Sequence, residues 1–173
     1  MTGRIPLPYD FLPPVPAFRL RSADLVDGGT MPDAQVHAAG NTSPQLSWSG
    51  FPAGTRSFAV TCYDPDAPTA AGWWHWLVVN LPAEVTELAA GAGASDGELP
   101  GGAFHVRNDF PGHRYDGAAP PPGPAHRYVF AVHALDVPAL EVGPETPAAQ
   151  VGFQLTAHAL GRALLTVEYQ SAP

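Results

Sequence analysis

Two acidic side chains stand at a fixed spacing in the segment 64–68, Asp-Pro-Asp-Ala-Pro, which comes directly after an alternating apolar run. Its two prolines restrict the backbone, so the carboxylates of Asp64 and Asp66 should hold one relative position. One interpretation is a functional site at the end of a strand. The simpler interpretation is a rigid turn in which aspartate caps its own backbone.

A histidine lies inside the tryptophan-rich segment 72–76, Gly-Trp-Trp-His-Trp. In such apolar surroundings burial lowers the pKa of an imidazole unless a carboxylate or an anion compensates. His75 is therefore a candidate ligand donor. Taken alone, a histidine in such a segment is more often a core histidine whose ring nitrogens are satisfied within the protein than a ligand donor.

A third group of polar side chains opens another apolar run at His126-Arg127-Tyr128, just after a proline-rich loop. Alternation in a strand places His126 and Tyr128 on one face and Arg127 on the other. The first two would be neighbouring donors at a pocket mouth, whereas Arg127 should pair with an acidic side chain. The alternative is an ordinary polar strand end.

Carboxylates and imidazoles together could also support catalysis. Asp64, Asp66, His75 and His126 could form a two-histidine carboxylate metal site or an acid–base pair for phosphate-ester hydrolysis. The sequence has no Gly-x-Ser-x-Gly, His-Glu-x-x-His or Cys-x-x-Cys motif to support that chemistry. A metal- or acid/base-dependent hydrolase is therefore kept as the alternative to a binding protein.

The elements that must position these residues are mostly strands. Residues 58–63 alternate with period two, which predicts a half-buried strand. Two longer runs, 73–81 and 126–135, are apolar at nearly every position and predict central strands buried on both faces. Shorter runs at 46–48 and 163–169 complete a pattern that is typical of an all-β sandwich or barrel.

One helix is predicted near the C-terminus. Thr146 should be its N-cap and Pro147 its first residue. Apolar residues spaced by four indicate a helix over 148–160 that Gly161 ends.

Composition excludes several classes of protein. The chain has 173 residues, a formal net charge of −8 and only 14% charged residues, so it lacks the basic footprint of a nucleic-acid binder or of a protein attracted to anionic lipids. Its 21 prolines and 18 glycines favour many short elements. The low charge leaves apolar surface outside, which is compatible with a homodimer.

We expect one domain over 1–173 that begins with a proline-rich, extended arm, 1–17. The arm should lie along its own domain or along a neighbouring subunit. No run is long and apolar enough to span a membrane, and the prolines interrupt any signal-peptide core. A single cysteine, Cys62, excludes an intramolecular disulfide and fits a reducing, cytoplasmic location.

The motifs taken together resemble the phosphatidylethanolamine-binding protein family, also called Raf kinase inhibitor-like, in its bacterial branch. The resemblance is densest over 43–136 and is carried by Ser-Pro-Gln-Leu-Ser-Trp at 43–48, Ser-Phe-Ala-Val at 57–60, the segment 64–68, Gly72 with Trp73 and His75, and Pro120-Pro121 before His126-Arg127-Tyr128. It implies a mainly β protein, an antiparallel β-sandwich with a C-terminal helix.

The resemblance also implies a non-enzymatic binding protein with a small anion pocket for phosphate, phosphoryl groups or phospholipid headgroups. Such a protein could modulate a kinase or a phosphoprotein, and no cofactor or metal is implied. His75 and His126 would be the first anion donors, and Asp64 would orient a histidine or accept from an amino group. The pocket would be lined by Asp64, Asp66, Pro68, Trp73, His75, Pro120, Pro121, His126 and Tyr128.

The chain departs from the family pattern at the rim. Pro111 stands where the family often has glycine, and Ala118-Ala119 stands where it often has Gly-Pro ahead of the paired prolines, so the rim backbone should be shaped differently. The nearby His105, His113 and Arg114 could add positive charge to the rim, but we favour the interpretation that they are solvated loop residues.

Overall fold

Two antiparallel sheets pack face to face in the computed structural model, which describes residues 4–172. The smaller sheet has the order β1-β2-β5 and consists of β1 (Arg19–Arg21), β2 (Leu46–Ser49) and β5 (Glu87–Leu88). The larger sheet has the order β6-β4-β3-β7-β8. Its strands are β3 (Ser57–Asp64), β4 (Trp73–Pro82), β6 (Phe104–His105), β7 (His126–Leu135) and β8 (Ala159–Tyr169). The predicted mainly β sandwich is confirmed.

The main core lies between the two sheets. Phe58, Val60 and Cys62 on β3 point into it and meet Leu46 and Trp48 of the smaller sheet. Alternate residues of a strand face opposite sides, so the residues between them face the other side of the larger sheet.

That other side is also covered. Ala59 of β3 packs with Leu77, Leu140, Val151 and Leu155 in a second apolar cluster. The expectation of a half-buried β3 is therefore wrong, because the single helix, α1 (Ala148–His158), covers the face that would otherwise meet solvent. The expectation that β4 and β7 are buried on both faces is confirmed.

The helix differs from its prediction at both ends. Pro147, not Thr146, is the N-cap residue. The helix ends at His158 and the chain passes directly into β8, because Ala159 pairs with Leu135 of β7. β8 consequently begins four residues before the predicted 163. Gly161 lies within this strand rather than beyond a helix.

The N-terminal segment runs along its own chain as far as it is described, from residue 4; residues 1–3 of the predicted arm lie outside the described part. The backbone N–H of Arg162 donates to the Pro16 carbonyl at 3.0 Å, and Arg127 donates to the Ile5 carbonyl. A 3-10 turn at Pro8–Asp10 interrupts the extended conformation. Among residues 4–172, no helix has the length and apolar character needed to cross a membrane.

Candidate functional site

The polar segments singled out above meet at one end of the larger sheet. Asp64 is the last residue of β3, whereas Trp73 and His126 are the first residues of β4 and β7. Because β3 is antiparallel to both neighbours, these ends come together around a cavity of about 210 Å³. The structure places eight of the nine predicted site residues in its lining: Asp64, Pro68, Trp73, His75, Pro120, Pro121, His126 and Tyr128.

Asp64 orients His126. One carboxylate oxygen lies 2.8 Å from His126 Nδ1, and both side chains are almost completely buried. The other oxygen accepts the backbone N–H of Asp66 at 2.8 Å. With the carboxylate ionised, Nδ1 carries the shared proton, so Nε2 is the ring atom left for a ligand.

His75 is held by a backbone carbonyl. Its Nδ1 lies 2.7 Å from the oxygen of Asp116, which can only accept, so Nδ1 carries a proton. Burial lowers the pKa of this histidine, and the Asp116 carbonyl and the Asp64 carboxylate oppose the shift only in part. In the free protein the ring is therefore neutral at neutral pH, and Nε2 presents a lone pair.

Two further lining residues have polar atoms without partners. Tyr128 is completely buried, and its hydroxyl makes no hydrogen bond within the described part of the chain. The indole N–H of Trp73 is likewise buried and unpaired there. Burial, followed by the charge of Asp64, raises the pKa of Tyr128, so the phenol keeps its proton. Both groups can donate to an acceptor that enters the cavity.

Asp66 lies outside the cavity lining, unlike the other eight. Its carboxylate receives hydrogen bonds from Nε and Nη2 of Arg127 at 2.8 and 2.6 Å. Burial opposes ionisation of Asp66, but the hydrogen bonds from Arg127 outweigh it and lower the pKa of this carboxyl. The expectation that Arg127 pairs with an acidic residue is confirmed, and Asp66 is the partner.

Four lining residues were not among those predicted: Ala67, Thr69, Phe110 and Ala119. Phe110 contacts the ring of His75, with centroids 5.3 Å apart, and stacks on His37. The sequence signal that could have identified Phe110 as a lining residue was its position directly after Asn108-Asp109 in the rim segment. Of the two departures from the family pattern, Ala119 lines the cavity and Pro111 does not.

The segment that carries Phe110 and the Asp116 carbonyl is tied together by side chains. The Asn108 amide nitrogen donates to the buried Asp116 carboxylate at 2.8 Å, and Arg114 pairs with the same carboxylate at 3.0 Å. At Gly117 a Cβ would overlap the backbone of Gln35. Glycine is therefore required there for the two segments to approach.

Of the three basic residues near the rim, His105, His113 and Arg114, the first differs from its prediction. His105 is not a solvated loop residue: it is completely buried in β6, with Nδ1 2.8 Å from the Asp96 carboxylate. The partly exposed side chains of His113 and Arg114 pair with Glu145 and Asp116.

Two residues of the expected two-histidine carboxylate metal site have other partners. Asp66 is committed to Arg127, and His75 Nδ1 to a carbonyl. Within residues 4–172, no three His, Cys, Asp or Glu side chains are grouped so that they could hold a metal ion.

Comparisons with known proteins point to one family. The family model described as phosphatidylethanolamine-binding protein matches residues 21–170. The Escherichia coli (strain K12) protein YbhB, described as a UPF0098 protein, is 47% identical over 156 residues, covering 87% of this chain and 99% of that protein. The E. coli protein YbcL, also described as UPF0098, is 46% identical over 161 residues, covering 89% and 88% of the two chains.

Solved structures agree with the sequence comparisons. The crystal structure of E. coli YbcL, described as a new member of the mammalian PEBP family, has a TM-score of 0.87 at 45% identity and covers 90% of this chain and 99% of that one. A putative phosphatidylethanolamine-binding protein homologue from Chlamydia trachomatis has a TM-score of 0.77 at 29% identity, with the same coverage of both chains. These structures share the sandwich described above.

Proposed function

Because the chain belongs to the phosphatidylethanolamine-binding protein family, we propose that the cavity at the end of β3, β4 and β7 is a binding site for a small phosphate-bearing anion. Free phosphate, a phosphoryl group and a phospholipid headgroup share the chemistry that it would recognise. The observation that carries the proposal is the convergence of polar groups on one cavity. The Tyr128 hydroxyl and the Trp73 N–H are buried and unpaired within residues 4–172, and His75 and His126 have their Nδ1 atoms held by the protein, which leaves Nε2 for a ligand.

Binding should take up protons. His75 is neutral in the free protein at neutral pH, and Asp64 brings a negative charge to the cavity wall. An anion would be repelled unless His75 becomes a donor at Nε2. A proton supplied by solvent, or by the P–OH group of the anion itself, makes this Nε2 a donor and offsets the charge of Asp64.

The affinity should be low for phosphate alone. A charge-assisted hydrogen bond contributes about 1.5–3 kcal/mol, while association costs about 4–15 kcal/mol. We expect a net free energy of roughly −4 to −6 kcal/mol, which corresponds to millimolar to high-micromolar dissociation constants. A cavity of about 210 Å³ admits a headgroup and leaves any acyl chain outside.

Calorimetric titration at pH 6 tests the proposal. The ligands are inorganic phosphate, phosphoethanolamine and a phosphoserine peptide, and the variants are His126→Gln and, as a matched control, His158→Gln. His158 also pairs with an aspartate, Asp136 at 2.9 Å, but on the surface. We expect saturable binding that weakens at least tenfold in His126→Gln and is unchanged in His158→Gln. Equal affinities in the two variants would contradict the proposal.

The ligand panel distinguishes the sources of the phosphate group. Phosphoethanolamine that binds more tightly than phosphate would indicate a headgroup site. A phosphopeptide that competes at lower concentration than either would indicate a phosphoprotein or kinase partner.

The Asp64–His126 hydrogen bond is also compatible with the alternative function, an acid/base-dependent hydrolase. A carboxylate that orients an imidazole is the arrangement of a general base. Release of 4-nitrophenol from 4-nitrophenyl phosphate, lost in His126→Gln and kept in His158→Gln, would favour an acid/base hydrolase. We expect no turnover, because binding needs only the donors described above.

A further inference from the structure

A second cavity lies on the opposite face of the larger sheet. It has a volume of about 330 Å³ and is enclosed by residues 8–12, by α1 and by the outer face of β3, β4, β7 and β8. It shares no lining residue with the first cavity. Its walls are largely apolar and include four aromatic residues, Tyr9, Tyr63, Trp74 and Phe153.

The charged group in this cavity is Arg162, which is only 8% exposed. Within residues 4–172 no carboxylate pairs with it. Its Nε donates to Nδ1 of His133 at 3.3 Å, and its Cζ lies over the Tyr9 ring, 4.4 Å from the ring centre. In the described part of the chain, the two terminal nitrogens of this guanidinium donate to no side-chain or backbone acceptor. They are therefore the atoms that could meet a ligand.

The neighbours of Arg162 supply no countercharge. His133 accepts from Arg162 at Nδ1, so its Nε2 carries the proton and donates to the Thr61 hydroxyl at 3.1 Å. Burial, with the nearby charge of Arg162, lowers the pKa of His133 to about 3, so its ring is neutral. The hydroxyl of Tyr9 is buried and unpaired within the described residues, which adds an uncharged donor.

A buried cation without a negatively charged partner is unfavourable, because the desolvation of its charge is not fully compensated. An anion that enters the cavity would supply the missing charge. The planar fork of arginine matches a carboxylate, with two parallel N–H···O bonds. Because the cavity contains one cation, it favours a ligand with one negative charge. Its apolar walls favour a ligand whose remaining part is apolar.

We propose that the cavity between α1, residues 8–12 and the larger sheet is a second binding site, in which the two terminal nitrogens of Arg162 receive a small organic monocarboxylate with an aromatic or short acyl body. This site goes beyond the proposed phosphate site and does not depend on it. The volume is at the lower end of the range for small-molecule pockets, which limits the ligand to a compact molecule.

The test uses 4-fluorophenylacetate as the ligand and fluorine NMR as the readout, with the uncharged 4-fluorophenylacetamide for comparison. Arg162→Met removes the charge, and Arg19→Met removes an exposed arginine as the matched control. Gly152→Leu keeps the charge and fills the cavity from α1. A side chain at this lining position meets open space, and leucine is a better helix former than glycine. This variant should therefore fold even if Arg162→Met does not.

We expect the acid to bind saturably and at least tenfold more tightly than the amide. Binding should weaken at least tenfold in Arg162→Met and in Gly152→Leu, remain unchanged in Arg19→Met, and persist in the presence of inorganic phosphate. Equal affinities for acid and amide would overturn the proposal. So would undiminished binding in Gly152→Leu, displacement by phosphate, or a lack of saturable binding to the wild type.

Discussion

Raising the pH should weaken phosphate binding through His75. The ring is 2% exposed, and burial lowers its pKa below the ordinary 6.5 in the free protein. Above that value the free ring is neutral, so the complex must gain a proton that the free protein lacks. Each proton taken up costs about 1.4 kcal/mol per pH unit, which is roughly a tenfold loss of affinity per unit. With phosphoethanolamine as the ligand, a phosphate monoester whose second pKa lies near 6, the proton must come from solvent above pH 7.

Calorimetry at pH 7 and pH 8, in two buffers of different ionisation enthalpy, measures both the affinity and the number of protons taken up. We expect about a tenfold weakening and the uptake of at least one proton. The control is His158→Gln, which should show the same slope because His158 lies outside the cavity. An affinity that is constant or rises from pH 7 to pH 8 would refute the reasoning, because donors that do not titrate would then hold the anion.

Three substitutions test other parts of the site. Tyr128→Phe removes a buried hydroxyl that has no hydrogen-bond partner within residues 4–172. This substitution should raise the free energy of unfolding, measured by urea denaturation, by about 1 kcal/mol. It should also weaken phosphate binding roughly tenfold. An unchanged affinity would show that the Tyr128 hydroxyl does not contact the anion. Asp66→Asn should lower stability by about 1.5–3 kcal/mol at pH 7 and leave phosphate affinity within about twofold. Because the folded-state pKa of Asp66 is lowered, its contribution should disappear as the pH falls through that value, so a stability difference that persists in acid would contradict the pairing. Gly117→Ala should cost about 1–3 kcal/mol through overlap with the Gln35 backbone; an unchanged midpoint of unfolding would show that the two segments can separate.

Periodicity predicted the long strands well because their apolar runs are continuous. It failed to predict the burial of β3. The outer face of this strand carries Thr61 and Tyr63, so the sequence suggests that this face is exposed to solvent. Thr61 is buried nevertheless, since its hydroxyl is paired with His133. The end of α1 was also predicted wrongly, at residue 160 instead of His158. The pairing of Ala159 with β7 overrides the helical pattern of the sequence there.

The candidate site was predictable where its residues stand at strand ends. Asp64, His75, His126 and Tyr128 are brought together by the antiparallel register of three strands. The partner of each polar group was not predictable, because partners come from distant segments. Asp66 pairs with Arg127 across 61 positions of sequence, and the Asp116 carbonyl that holds His75 lies 41 residues away.

A phosphate titration at pH 6, followed by NMR of the histidine ring signals, tests the central claim most directly. The wild type is compared with His75→Ala and His126→Ala. The proposed site predicts saturable shifts for both ring signals in the wild type and no saturable shift in either variant. Absence of any shift in the folded wild type, or shifts of equal size in the variants, would contradict the assignment of the cavity as an anion-binding site.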